Sequence, residues 1–185
     1  MKMDALWPTM FGSGNFEVEG LVEYIFSNYD LSSRPGVDGN SIFADKHSTM
    51  EKFKKVVYNK FDEYLINTIG KRISDYDSYE MKAWITGHGK YYSMSNHNHS
   101  GSQLSGVFYI MVEEKDVGGE IVFSDPRSNC NRGYDDWFFS LFQNHIHVPK
   151  TGDYMIFPSF AYHCVNPYLS SLRICIPVDL YLHRQ

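Results

Sequence analysis

The chain has 185 residues, of which 43% are hydrophobic and 16% aromatic, and its formal net charge is -5. This apolar content excludes a disordered chain, and the length suits one domain better than two. There is no basic stripe to favour nucleic-acid binding and no apolar run long enough to span a membrane, so we expect a soluble, cytoplasmic protein with reduced cysteines.

The first region, residues 1–75, is helical in pattern and is expected to support the rest of the domain. Apolar residues between Val18 and Tyr29 recur on one helical face. A second helix is predicted from Ser48, which forms a capping box with Glu51, to Gly70, a typical C-terminal cap. The intervening stretch, 32–40, is rich in Ser, Pro, Gly and Asn and predicts a loop.

The second region, residues 76–185, has the pattern of a β-structure. Segments rich in Val, Ile, Phe and Tyr predict strands at 79–85, 90–95, 106–112, 120–124, 145–148, 154–157, 162–165 and 172–180. Turn signals separate them, among them the Gly-His-Gly triplet at 87–89.

About eight short strands without intervening helices predict two packed antiparallel sheets of jelly-roll type, with the helices outside one sheet. The expected fold is therefore mainly β with flanking N-terminal helices, in a single domain spanning 1–185. The segment 127–142 is long for a strand connection, and both a cover over a site and a packed loop remain open for it.

A pair of histidines ends the second predicted strand. His97 and His99 are two residues apart, and such residues point to the same face of a strand, so their rings can meet one metal ion. His163, in a distant predicted strand, is the third candidate ligand. Imidazole suits iron, zinc, copper and nickel, so these ligands alone do not select the metal.

The same His-x-His pattern occurs again at His145 and His147. The loop that follows the first pair, 100–106, consists mostly of small residues and leaves room for a ligand. The second pair runs into Val-Pro-Lys at 148–150, as an ordinary strand edge does. Context therefore favours the first pair, although either pair can also be ordinary surface or core histidines.

An arginine follows the third candidate ligand by ten residues. This spacing between His163 and Arg173 allows a turn at 166–170 and a return strand, which would bring the guanidinium beside the metal site. A guanidinium offers a planar fork that matches a carboxylate bidentately. A lone strand arginine is commonly a surface residue, but its pairing with a candidate metal ligand favours carboxylate binding.

Several motifs occur together in a fixed order. They are HNH at 97–99, LSGVFY at 104–109, GGEIVFSDPR at 118–127 and FPS at 157–159, followed by His163 and Arg173. In this combination the chain resembles the 2-oxoglutarate and Fe(II)-dependent dioxygenase superfamily, and more closely a branch of oxygenases from marine bacteria and their phages. The resemblance covers most of the chain and is strongest from 84 to 178.

The resemblance implies a double-stranded β-helix, the cupin-like jelly roll, that binds Fe(II), 2-oxoglutarate and O2 and hydroxylates an unactivated C–H. It implies iron ligation by His97, His99 and His163. Arg173 would hold the far carboxylate of 2-oxoglutarate. A hydroxyl to help it could come from Tyr92, Ser105 or Tyr109. The layout is similar to that of prolyl hydroxylases, which implies a protein or peptide side chain as substrate.

One position departs from the superfamily pattern. His99 stands where the wider superfamily has Asp or Glu, so the site would carry one more positive charge. Either the three histidines suffice, or a carboxylate such as Asp125 joins them, or activity has been lost. The three-histidine arrangement is favoured because the resembled branch itself carries His at this position.

Two other functions remain open. One is a cupin-like metalloenzyme without 2-oxoglutarate, because the spacing of Gly152, Pro158 and His163 is close to a cupin motif. Against it, no Glu follows His99 at ligand distance, and such an enzyme has no need of Arg173. The other is a non-catalytic, ligand-binding jelly roll, although the 14 Tyr and 13 Phe are more simply explained by packing.

Overall fold

The computed structural model describes residues 2, 8–17, 19–37, 41–113, 118–126 and 144–184. Within these ranges, β-structure dominates and the helices lie in the first half of the chain, which confirms the predicted class. The segment 127–142, for which a cover or a packed loop was expected, lies outside the described residues. No helix in the described ranges is both long enough and apolar enough to cross a bilayer.

Ten strands occur in the described ranges. In chain order they are β1 (Gly12–Asn15), β2 (Ser78–Ala83), β3 (Thr86–Gly89), β4 (Met94–His97), β5 (Leu104–Met111), β6 (Ile121–Phe123), β7 (His145–His147), β8 (Asp153–Pro158), β9 (His163–Val165) and β10 (Leu172–His183). All paired strands are antiparallel. The larger sheet has the order β1-β8-β5-β10-β2, with β3 also on β10, and the smaller has the order β4-β9-β6-β7.

The longest strand, β10, carries polar groups on the face that looks toward the smaller sheet. Ile174 and Ile176 belong to the core beneath the helices, whereas Cys175 belongs to the core between the sheets. Because side chains alternate along a strand, Arg173 and Asp179 share the face of Cys175. The register places Arg173 opposite His88 of β3 and Asp179 opposite Ser105 of β5.

Two α-helices, α1 (Leu21–Asn28) and α2 (Ser48–Ile69), cover the outer face of the larger sheet. The apolar face of α2 is buried there, as its periodicity predicts. Phe61 comes close to β5 because Gly106 lacks a side chain: a Cβ there would lie 3.1 Å from the Phe61 ring. The predicted C-cap Gly70 is confirmed, with φ at 66°, but the N-cap is His47, whose ring accepts from Thr49, and not Ser48.

The structure corrects the predicted elements at two places. Residues 90–93 connect β3 to β4 with a turn at 90–91, so the predicted strand 90–95 is wrong except for its last two residues, which belong to β4. The predicted turn 87–89 is part of β3. A glycine is needed at position 87 of this strand, because a Cβ there would lie only 3.0 Å from the Leu31 side chain. Strand β1 was not predicted, since its glycines carry no apolar signal. Gly12 and Gly14 instead admit the rings of Tyr64 and Tyr154.

Candidate metal centre

Three histidines meet where strands of the smaller sheet begin and end. His97 closes β4 and is paired in register with His163, which opens β9. His99 lies two residues beyond β4, and its backbone N–H donates to the Ser159 carbonyl at 3.0 Å. One potential ligand atom from each ring lies within 4.8 Å of the other two. The predicted ligands therefore converge.

The hydrogen bonds of these rings suit a metal site. Nδ1 of His97 lies 2.8 Å from the Ser95 carbonyl. Nδ1 of His99 lies 2.9 Å from the Asp179 carboxylate, and Nδ1 of His163 lies 3.0 Å from the Ala161 carbonyl. Because these oxygens accept, each Nδ1 carries the proton and each Nε2 keeps its lone pair for a metal.

The deepest of the three rings is held in the neutral form. His163 is 4% exposed, and burial lowers its pKa to about 4, with the neighbouring His97 and His99 adding to the effect. The hydrogen bond to the Ala161 carbonyl acts in the opposite direction. At neutral pH the ring therefore has a free lone pair, the form in which imidazole binds metals.

Behind His99 lies a carboxylate that sequence reasoning missed. Asp179, 7% exposed, accepts from His99, and the Ser105 hydroxyl donates to its Oδ1 at 2.6 Å. Ser105 was predicted beside Arg173, but the register sets it opposite Asp179. The backbones of residues 173 and 179 are about 20 Å apart along β10. Ser105 thus belongs to the histidine end of the site.

Arg173, although charged, is only 1% exposed. Its Nη1 donates to the Gly119 carbonyl at 2.5 Å and its Nη2 to Nδ1 of His88 at 2.7 Å. A guanidinium only donates, so the ring proton of His88 must be on Nε2. Neither this Nε2 nor the Nε of Arg173 has a hydrogen-bond partner among the described residues. Two buried donors without partners beside a fixed cation suit an anionic ligand.

His88 is a second residue that the sequence did not single out. It is 3% exposed, and burial lowers its pKa to about 3, with the charges of Arg173 and Arg34 adding to the effect. The ring is therefore neutral and accepts the hydrogen bond that orients Arg173. Gly119 completes the arrangement, because a Cβ on it would lie 2.5 Å from Nη1 of Arg173.

The two tyrosines predicted near the arginine differ in position. The ring of Tyr109 lies 6.0 Å from the guanidinium carbon of Arg173, and burial raises the pKa of its hydroxyl far above the ordinary value. Tyr92 stacks on His88 with ring centroids 3.7 Å apart, and its hydroxyl accepts from Arg34 at 2.9 Å. Tyr109 is thus beside the cation, whereas Tyr92 contacts it through His88.

The second His-x-His pair lies apart from the first, on β7. Nε2 of His147 is 3.4 Å from the carboxylate of Asp153, within ion-pair distance but without a hydrogen bond. In the part of the chain that the structure describes, a cluster of potential metal ligands forms only at residues 97, 99 and 163. Neither this pair nor Asp125 belongs to that cluster.

The sequence of residues 82–179, just over half of the chain, matches a family described as "Putative 2OG-Fe(II) oxygenase". No curated protein matches the chain by sequence.

Solved structures share the fold at low identity. A prolyl-4-hydroxylase from Pseudomonas putida is 11% identical with a TM-score of 0.62, and the match covers 95% of this chain and 94% of that one. HygX from Streptomyces hygroscopicus, with nickel and 2-oxoglutarate bound, is 11% identical with a TM-score of 0.59 and coverages of 92% and 82%. A 2OG-Fe(II) oxygenase family oxidoreductase from Burkholderia pseudomallei is 14% identical with a TM-score of 0.53, and 75% of this chain matches 58% of that protein. The shared fold is the predicted double-stranded β-helix.

Proposed function

Because the chain belongs to the 2OG-Fe(II) oxygenase family, we propose that it is a dioxygenase that uses 2-oxoglutarate and O2 to hydroxylate an unactivated C–H. The observation that carries the proposal is the convergence of three imidazoles whose Nδ1 atoms are all hydrogen-bonded. We assign iron binding to the Nε2 atoms of His97, His99 and His163. When bound, iron supplies the activation of O2, which protein side chains cannot provide.

Arg173 is assigned to the far carboxylate of 2-oxoglutarate. It retains donors beyond those that bind Gly119 and His88, and its burial keeps water from competing for them. His88 and Gly119 fix the guanidinium plane, so the carboxylate meets an oriented cation. The ring of Tyr109 lies beside the same guanidinium, and burial raises the pKa of its hydroxyl so that it stays protonated. A buried, oriented arginine also favours this function over the cupin alternative, which has no carboxylate to hold.

The substrate we propose is a protein or peptide side chain. The support is the likeness in fold, over nearly the whole of both chains, to the Pseudomonas putida prolyl-4-hydroxylase. Phe160 and Tyr162, on either side of the buried Ala161 and just before His163, are half exposed and offer apolar contact close to the metal. An extended peptide with small apolar residues would suit such a surface.

The test is an anaerobic titration of the protein with Fe(II) and then 2-oxoglutarate, followed by visible absorption. A weak charge-transfer band should appear only when both are present, because it arises from the keto-acid chelate. Zinc in place of iron is the matched control and should give no band. If the folded, iron-loaded protein gives no band and no heat of binding with 2-oxoglutarate, the proposed function is wrong and the cupin alternative gains support.

A further inference from the structure

The carboxylate of Asp179 lies directly behind one proposed iron ligand. Its oxygens are 2.9 Å and 3.2 Å from Nδ1 of His99, and the Asp179 and His99 side chains are only 10% and 13% exposed. No Lys or Arg of the described ranges lies within ion-pair distance of this carboxylate. A carboxylate so far removed from water is costly without a positive charge nearby.

A chain of hydroxyls aims its protons at the same carboxylate. Ser105 donates to Oδ1 of Asp179 at 2.6 Å, which uses its only proton. It therefore accepts from Ser159 at 2.8 Å, and Ser159 accepts from Ser102 at 2.8 Å. Ser105 and Ser159 are both buried. With His99 donating from the other side, every donor points toward Asp179, as expected around an ionised acceptor.

We propose that Asp179 supplies, through His99, the negative charge that a directly bound carboxylate supplies in the wider superfamily. Three neutral imidazoles leave the full double charge of Fe(II) uncompensated. A carboxylate that accepts the Nδ1–H of a ligating ring makes that ring a stronger donor and offsets one charge. The ion in turn provides a positive charge near this carboxylate, beside which the described ranges place no Lys or Arg. This makes Asp179 a positioning residue, and the inference rests on the proposed iron site.

The experiment is a double-mutant cycle between residues 99 and 179, read out by metal affinity. Co(II) is the probe, and its affinity and visible d–d spectrum are measured for the parent and for the Asp179→Asn, His99→Asp and doubly substituted proteins. Asn keeps the size and an acceptor oxygen but removes the charge. Ser105→Ala is the matched control, because it removes a hydrogen bond to Asp179 and leaves the charge in place.

The size of the Asp179→Asn effect should depend on residue 99. With His99 present, the substitution should weaken Co(II) binding by about 10- to 100-fold and change the d–d spectrum. In the His99→Asp background the loss should be much smaller, because no ligating ring then remains whose N–H Asp179 could accept. Ser105→Ala should alter affinity much less than Asp179→Asn. An unchanged affinity in the His99 background, or an equal loss in both backgrounds, would overturn the inference.

The outcomes separate this inference from the proposed function. If the parent binds no Co(II), the metal site itself is wrong. If the parent binds Co(II) and Asp179→Asn binds it equally well, only the role of Asp179 is wrong. Should the single Asp179→Asn protein fail to fold, Asp179→Ser, which also removes the charge, takes its place in the cycle with the same expected loss, and an unchanged affinity would again refute the inference.

Discussion

Replacing Arg173 with Lys keeps the positive charge but removes the planar guanidinium, which can bind a carboxylate through two parallel N–H donors. The guanidinium has five N–H donors, of which one binds the Gly119 carbonyl and one binds His88. The proposed carboxylate takes two of the remainder as charge-assisted hydrogen bonds. An ammonium group has three donors on one nitrogen and cannot serve all of these partners with good geometry. Losing one charge-assisted bond costs about 2 to 3 kcal/mol, or about a 30- to 150-fold weaker affinity for 2-oxoglutarate.

The assay is anaerobic calorimetric titration of 2-oxoglutarate into iron-loaded protein, with iron content measured on the same samples. Arg34→Lys is the matched control, because Arg34 binds the Tyr92 hydroxyl and makes no proposed contact with the co-substrate. It should leave the affinity nearly unchanged. If Arg173→Lys is folded and binds 2-oxoglutarate as tightly as the parent, or loses iron as well, the carboxylate assignment is refuted.

Two further predictions concern the surroundings of Arg173. Gly119→Ala should lower the free energy of unfolding, measured in urea, more than Gly20→Ala does. Both glycines have positive φ, but only at Gly119 would a Cβ meet other side chains, Arg173 at 2.5 Å and Tyr168 at 2.9 Å. Gly20→Ala should cost only the backbone term of about 1 to 2 kcal/mol, and equal losses would contradict the proposed packing. The pKa of His88 is lowered from 6.5 to about 3 in the folded protein. As the pH falls from 6.5 toward 3, this ring therefore binds a proton in the unfolded chain but not in the folded one. Stability should fall over this window by up to roughly 4 kcal/mol, and His88→Asn should flatten the dependence; an unchanged slope would argue against a buried neutral ring.

The proposed ligands could be found from sequence because their signal is local. Residues 97 and 99 are two apart at a strand end, and the alternation of an extended chain predicts that both rings lie on one side. His163 and Arg173 stand in a fixed spacing that a turn and a return strand explain. The structure brings the three histidines together, although their role in binding iron stays a prediction.

The supporting residues could not be found in this way, because they come from the pairing and packing of distant segments. Asp179 is 80 positions from His99, and His88 is 85 from Arg173. The contact of His88 follows from the pairing of β10 with β3, whereas the contact of Asp179 joins the larger sheet to the segment beyond β4. No periodicity within one segment encodes the pairing of two distant ones.

The errors in strand prediction have a related cause. The Gly-His-Gly triplet at 87–89 has turn composition, yet it pairs with residues 172–174 of β10. Gly87 allows Leu31 to pack closely against this strand, and His88 accepts a hydrogen bond from Arg173. Glycine marks both turns and crowded strands, and only the neighbouring elements distinguish them.

The two His-x-His pairs of this chain allow the most direct test of the iron site. Fe(II) content after anaerobic reconstitution and desalting should be measured for the parent, His97→Ala and His145→Ala. The parent and His145→Ala should retain one Fe(II) per chain, whereas His97→Ala should retain almost none, since its ring is the one placed opposite His163. Equal losses in the two variants, or full retention by His97→Ala, would contradict a three-histidine site at residues 97, 99 and 163.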